Sequence, residues 1–148
     1  MTTTLETFES GATRNAVDYR YDLMSRDITL LLLHKHSPAF SLAKTLFAYV
    51  DGRISEGDFV AAELGRLLSL SKIETAHLYA QAMHEGAAKY GERNWEKGIP
   101  ESNLLNHALH HLFKCVAGDA SEDHRSHLVW NVLTLIHFRL NRVKEVEQ

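Results

Sequence analysis

The sequence predicts an all-α fold: a helical bundle preceded by an extended N-terminal arm. Three observations lead there. Apolar residues recur three and four positions apart through most of the chain after residue 25. Helix-starting and helix-stopping residues flank those stretches. No stretch reads as a convincing strand.

Residues 1–25 predict an irregular arm, because Gly11, Asn15 and Asp18 interrupt any helical period. Ile28–His36 is a short apolar segment that predicts a helix ending near Pro38. Ala39–Val50 carries Phe40, Ala43, Phe47 and Val50 at helical spacing, and Asp51-Gly52 is a turn signal. Ser55 is the expected N-cap of the next helix, with Glu56 and Asp58 at its positive end and Phe59, Leu64, Leu67 and Leu68 on its apolar face. Ser71 with Glu74 three residues on forms a capping-box pattern. The helix it opens predicts Ile73, Ala76, Tyr79, Ala80 and Met83 inward and reaches about Tyr90. Gly91 to Pro100 is a loop. Ser102–Val116 then predicts a helix closed by Gly118, and Ser121 the start of a last helix over 121–142.

Composition narrows the function classes. With 45% hydrophobic and 24% charged residues in 148, the chain suits one globular domain. A net charge of -3, with scattered Lys and Arg, excludes wholesale binding to a nucleic-acid polymer, yet a few placed cations suffice for a small anion. Cys115 stands alone, so no internal disulfide forms and a reducing, cytoplasmic setting is expected. The longest apolar run, Ile28–Leu33, is too short to cross a bilayer.

Ten histidines are unusual, and six fall between His107 and His137. His107 and His111 share a helical face, and His124, His127 and Asn131 share another. A short turn joins the two helices, so the stripes are expected to face each other and bring imidazole and amide groups to one point. That suits a divalent metal. A hard ion such as Mg or Mn prefers oxygen, which directs attention to Glu85, Glu122 and Asp123. A buried helical histidine is more often a hydrogen-bonded core residue, and both readings stand on sequence alone. The run from Lys89 to Gly98 is a second constellation. Lys89, Arg93 and Lys97 are suited to phosphate oxygens, and Tyr90 or Trp95 to stacking on a base. Its structural reading is a solvated charged loop with Trp95 plugging the core.

The run Glu85-Gly86-Ala87-Ala88-Lys89-Tyr90-Gly91-Glu92-Arg93-Asn94-Trp95-Glu96-Lys97-Gly98 closely resembles the signature of small, mostly phage-encoded dATP/dGTP diphosphohydrolases. So do His110-His111-Leu112, Asp119 with Glu122-Asp123-His124, His127 and Trp130-Asn131, and the opening Gly11-Ala12-Thr13-Arg14 with Arg20-Tyr21-Asp22-Leu23. The resemblance implies a fold related to the MazG-like nucleotide pyrophosphohydrolases. It also implies cleavage between the α and β phosphates, Mg or Mn held by carboxylates, and no organic cofactor.

On that resemblance the chain divides into an arm (1–25), a helical insert (26–72) and a nucleotide-handling core (73–142), within one domain. The substrate is expected to be a purine deoxynucleotide, bound by Arg14, Arg20, Lys89, Arg93, Asn94, Trp95 and Lys97. Glu85, His111 and Asn131 are the expected catalytic residues; Glu85, His111, Glu122, Asp123 and His127 the expected metal ligands. The apolar insert predicts a homo-oligomer. Three departures stand out: the insert itself, His110 where the family carries arginine, and His107, His111, His127 and Asn131 where MazG-like helices carry carboxylates. The last keeps a non-hydrolysing nucleotide-binding protein as the alternative. All of these expectations require the Gly91–Gly98 turn and the histidine stripes to share one cavity.

Overall fold

The computed structural model describes residues 4–147, with side chains described to residue 142. Among the described residues the fold is all-α apart from one two-stranded ribbon. Six helices follow the arm: α1 (Arg26–Leu31), α2 (Pro38–Val50), α3 (Gly57–Leu68), α4 (Lys72–Tyr90), α5 (Glu101–Ala117) and α6 (His124–Glu147). None is long and apolar enough to cross a membrane.

The arm is more ordered than its composition predicts. Strands β1 (Leu5–Thr7) and β2 (Thr13–Asn15) pair antiparallel, with Glu6 opposite Arg14. Three-residue strands are too short for alternation to register in a sequence. Ala12 is fully buried, and Gly11 takes a φ of +92° in the turn, a conformation that disfavours any Cβ. A short 3-10 turn at Tyr21–Leu23 then lays Tyr21 on α5: its N–H donates to Asn106 Oδ1 at 2.6 Å, and its ring meets His110 and Phe113.

The α5–α6 hairpin is the centre of the fold. Arg139 near the end of α6 pairs with Glu101 at the start of α5 at 2.7 Å, whereas His124 at the start of α6 meets His111 late in α5, so the two run antiparallel. Leu104, Leu109 and Leu112 interlock with Leu128, Val129, Val132 and Leu135, all essentially inaccessible to solvent. Helices α2 and α3 close one side of this core through Leu42, Leu46, Val60 and Leu64. The start of α3 comes so near α6 that a Cβ on Gly57 would lie 2.7 Å from Ile136 Cγ2.

Helix α4 packs more shallowly on α6. Tyr79 Oη and Thr134 Oγ1 share a hydrogen bond of 3.2 Å, and Trp130 Nε1 donates to Met83 Sδ at 3.3 Å. The capping box of Ser71 and Glu74 forms as its sequence predicts, and Gly118 ends α5 in the left-handed region.

Several local expectations are corrected. Phe59 and Ile73 point outward, because Val60, Leu64 and Leu68 take the inner face of α3 and α4 buries only Ala82 fully. Ser55 does not cap α3, which starts after Glu56 without a side-chain cap. Ser121 does not cap α6. Its N–H donates to Asp119 Oδ1, and Asp123 takes the capping role by accepting from Ser126 N–H at 3.1 Å and Ser126 Oγ at 2.6 Å. Helix α1 is shorter than predicted and leaves Ile28 and Leu31, with the adjacent Leu32, exposed.

Candidate metal centre at the hairpin turn

The turn between α5 and α6 brings imidazoles from two helices around one carboxylate. His110 and His111 come from the last turns of α5, His124 and His127 from the first turn of α6, and Glu122 from the connection. Glu122 Oε1 lies 3.6 Å from His111 Nδ1, 3.5 Å from His124 Nδ1 and 3.3 Å from His127 Nδ1. His111 Nδ1 and His124 Nδ1 are 2.9 Å apart. One donor atom each from His110, His111, Glu122 and His124 falls within a 4.8 Å group, a spacing that can hold a metal ion.

Burial sets the charge state of these rings. The His111 pKa is held far below the ordinary imidazole value, first by loss of solvent and then by the neighbouring imidazoles. Burial pushes His110 down too, against the opposing pull of Glu122. His107, one turn below His111, is lowered to about 2 by burial, with Arg14 adding to the effect. His107, His110 and His111 are therefore neutral near pH 7, and a neutral imidazole is the form that ligates a metal.

Several of these groups lack a partner. His107 Nε2, His110 Nδ1, His124 Nε2 and Asn131 Oδ1 are buried without a hydrogen bond. The closest approach among them, His124 Nε2 to Asp119 Oδ1, is 3.4 Å and off the angle of a hydrogen bond. Each such atom costs about 1–3 kcal/mol unless something satisfies it. Four such atoms in one hairpin call for a partner, whether water, ion or ligand.

Arg14 lies further along the hairpin, toward the start of α5. Its guanidinium sits 5.1 Å from the Trp130 ring centre and donates to Asn103 Oδ1 at 3.1 Å. Burial lowers its pKa to about 10, a perturbation that Tyr90 and Glu6 only partly offset, and the group stays charged. Beside the hairpin turn a cavity of about 460 Å³ opens, with Leu67, Cys115 and Val116 on its apolar wall and Asp119, Glu122 and His124 on its polar one. That volume is in the range of small-ligand pockets, and two cluster residues line it.

The structure assembles His111, Glu122 and His127, with Asn131 directly below: Asn131 Nδ2 donates to the His127 carbonyl at 2.7 Å. Two other predicted ligands stand apart. Asp123 uses its carboxylate as the α6 cap; burial pushes its pKa up, but the bonds from Ser126 together with the charges of His127 and Arg125 bring it below the ordinary value. Glu85 is exposed on α4 and reaches the cap only through Gln81, whose amide donates to Glu85 Oε1 and Asp123 Oδ2, both at 3.3 Å.

The cationic loop is not part of this cluster. Trp95 packs on His137 and Phe138, and α6 rises about 20 Å between His124 and His137. Asn94 is buried and clasps Thr13, accepting from its N–H at 2.9 Å and donating to its carbonyl at 2.7 Å. Arg93 pairs with Glu96 at the surface, the Lys89 ammonium stands 5.5 Å from the Tyr90 ring centre, and Lys97 runs beside Gly11. Arg20 forms a bidentate pair with Asp22 at 2.8 Å. The expected shared cavity is therefore corrected: the loop clamps the β-ribbon at one end of the hairpin, and the histidines converge at the other. Sequence reasoning placed His124 on the stripe, and His110 and Asp119 in the family resemblance, without counting any of the three as a site residue. Position i relative to His127 at i+3 was the available signal for His124.

Residues 64–148 match the family model described as dATP/dGTP diphosphohydrolase, N-terminal. That span is more than half of the chain and contains every residue of the imidazole cluster, but not Arg14. Neither characterised proteins nor solved structures yield a match.

Proposed function

Because this chain belongs to the dATP/dGTP diphosphohydrolase family, we propose that it hydrolyses purine deoxynucleoside triphosphates with the help of a divalent metal held at the hairpin turn. The products are the deoxynucleoside monophosphate and pyrophosphate: water attacks the α phosphorus, and the bond to the β-phosphate oxygen breaks. The observation that carries this reading is the convergence of three imidazole Nδ1 atoms on Glu122 Oε1.

His111, His124 and Glu122, with His127 beside Glu122, are the residues to hold the metal, and the crowding of their donor atoms fits that role. A bound metal neutralises phosphate oxygens and makes water a better nucleophile. Arg14 is a half-buried cation whose charge bears on His107, and its planar fork suits two oxygens of the polyphosphate. Trp130 fixes the plane of that fork from one face. Asn131 holds its amide against the His127 carbonyl and leaves its oxygen free to accept from water or ligand. Glu85, exposed on α4 and linked to the α6 cap through Gln81, is the carboxylate proposed to take the proton from water.

Within this reading Lys89, Arg93, Asn94, Trp95, Lys97 and Arg20 support the fold around the β-ribbon. A distant MazG-like kinship, a phage-type origin, a cytoplasmic setting and self-association through exposed Ile28, Leu31 and Leu32 belong to the same proposal. The test is a panel of four deoxynucleoside triphosphates with Mn or Mg, reading pyrophosphate release. Release from dATP or dGTP supports it. No release from any of the four, with nucleotide recovered unchanged from the protein, replaces hydrolysis with nucleotide binding.

A further inference from the structure

We propose that the hairpin-turn cluster selects a first-row transition-metal ion over magnesium, and that Asp119 is the positioning residue that aims His124 at that ion. The inference deepens the proposed function and rests on it for the location of the reaction, but not for the reaction itself.

Donor chemistry makes the first part. Three imidazoles and one carboxylate converge, and His110 Nδ1 stands by as a further nitrogen. Magnesium takes near-octahedral oxygen ligands and keeps much of its water, whereas imidazole suits zinc, iron, cobalt and nickel, with manganese between. Spacing agrees. Metal–ligand bonds of 2.0–2.2 Å in a tetrahedron separate the donor atoms by about 3.3–3.6 Å. The observed separations from Glu122 Oε1 are 3.3, 3.5 and 3.6 Å. The 2.9 Å approach of the two Nδ1 atoms is somewhat shorter, as befits a pair sharing one proton in place of a cation.

The second part follows from what lies behind His124. A metal-binding histidine commonly gives its other ring N–H to a carboxylate, which selects the tautomer and turns the ring. His124 presents Nδ1 to the cluster and Nε2 to Asp119 Oδ1 at 3.4 Å, and its side chain is only 4% exposed. Asp119 is itself held in place: Ser121 donates to Oδ1 through both N–H and Oγ, and Lys114 Nζ lies 3.5 Å from Oδ2. No hydrogen bond is formed at 3.4 Å, but the negative charge of the fixed Asp119 carboxylate favours a proton on the facing Nε2, and so leaves the Nδ1 lone pair for the ion.

The experiment uses the full chain, stripped with chelator and free of nucleotide. Co(II) is titrated in and followed by its visible d–d absorption, with metal per chain measured by elemental analysis. One Co(II) per chain, displaced by Zn(II) or Mn(II) but not by a hundredfold excess of Mg(II), is the expected result. Asp119→Asn should weaken Co(II) binding by ~10–100-fold, and His111→Gln should abolish the absorption band. Circular dichroism confirms that each variant folds, and the competition on the unaltered chain needs no variant. Displacement of Co(II) by equimolar Mg(II), or no band at all, overturns the selection. Unchanged affinity in folded Asp119→Asn overturns the positioning role. Tight Co(II) binding without nucleotide hydrolysis sinks the proposed function and leaves this inference standing.

Discussion

At the end of the hairpin where α5 begins, the polar groups are paired with one another. Asn94 saturates Thr13, Arg139 joins Glu101 to the carbonyl of Val50, and Arg93 meets Glu96. At the turn end the reverse holds. His110 and His124 each leave a buried nitrogen unpaired, and one carboxylate oxygen faces three imidazoles. Both ends are rich in polar side chains and both carry family-signature residues. The contrast teaches that a signature mixes two kinds of constraint: residues that hold the backbone, and residues held unsatisfied by it.

The sharpest way to break that contrast is His111→Gln. Loss of a ligand removes several kcal/mol of charge stabilisation, so nucleotide hydrolysis should fall by at least about 100-fold with the melting temperature little changed. Full activity in this variant would move the reaction away from the turn.

Asn94→Ala should do the opposite. It strips three hydrogen bonds from Thr13 and should cost about 1–3 kcal/mol of stability, seen in denaturant unfolding, while metal affinity holds. A raised KM without destabilisation would return the loop to substrate binding.

Arg14→Lys keeps the charge and loses the fork, so KM for dATP should rise about tenfold with kcat nearly constant. An unchanged KM would confine Arg14 to packing on Trp130.

Acid sharpens the comparison through stability. In the unfolded chain the buried histidines titrate near pH 6.5, whereas in the fold His107 stays neutral to about 2 and His110 and His111 are also depressed. Below the unfolded value the unfolded state binds more protons, so the stability present above it is lost progressively as pH falls. Thermal melts of metal-free protein between pH 7.5 and 5 should show this decline, and His107→Gln should flatten it. A pH-independent melting temperature would mean that the rings take up protons in the fold.

The smallest effect belongs to Arg93→Gln. An exposed ion pair contributes about 0–1 kcal/mol, so stability should change by no more than about 1 kcal/mol and KM should stay within about twofold of the parent. A large KM increase here would place phosphate at the loop after all.

Much of this architecture is determined by the sequence alone. The periods of α2, α5 and α6, the Ser71–Glu74 box and the Gly118 stop are local, since each depends on residues within one or two turns. The histidine stripes are local for the same reason, and so His107, His111, His124 and His127 share faces before any tertiary contact is known. Only the tertiary structure decided which of them meet, which of Glu122, Asp123 and Glu85 joins them, and where the Gly91–Gly98 loop lies. Chain order sets that loop directly before α5, but the antiparallel return of α6 carries its partners His137 and Phe138 back to it and leaves the histidine-bearing turn a helix length away. The pairing of Arg14 with Trp130 and of Asp123 with Ser126 likewise depends on how packed surfaces compete for the same polar groups, and no spacing along the chain records that competition.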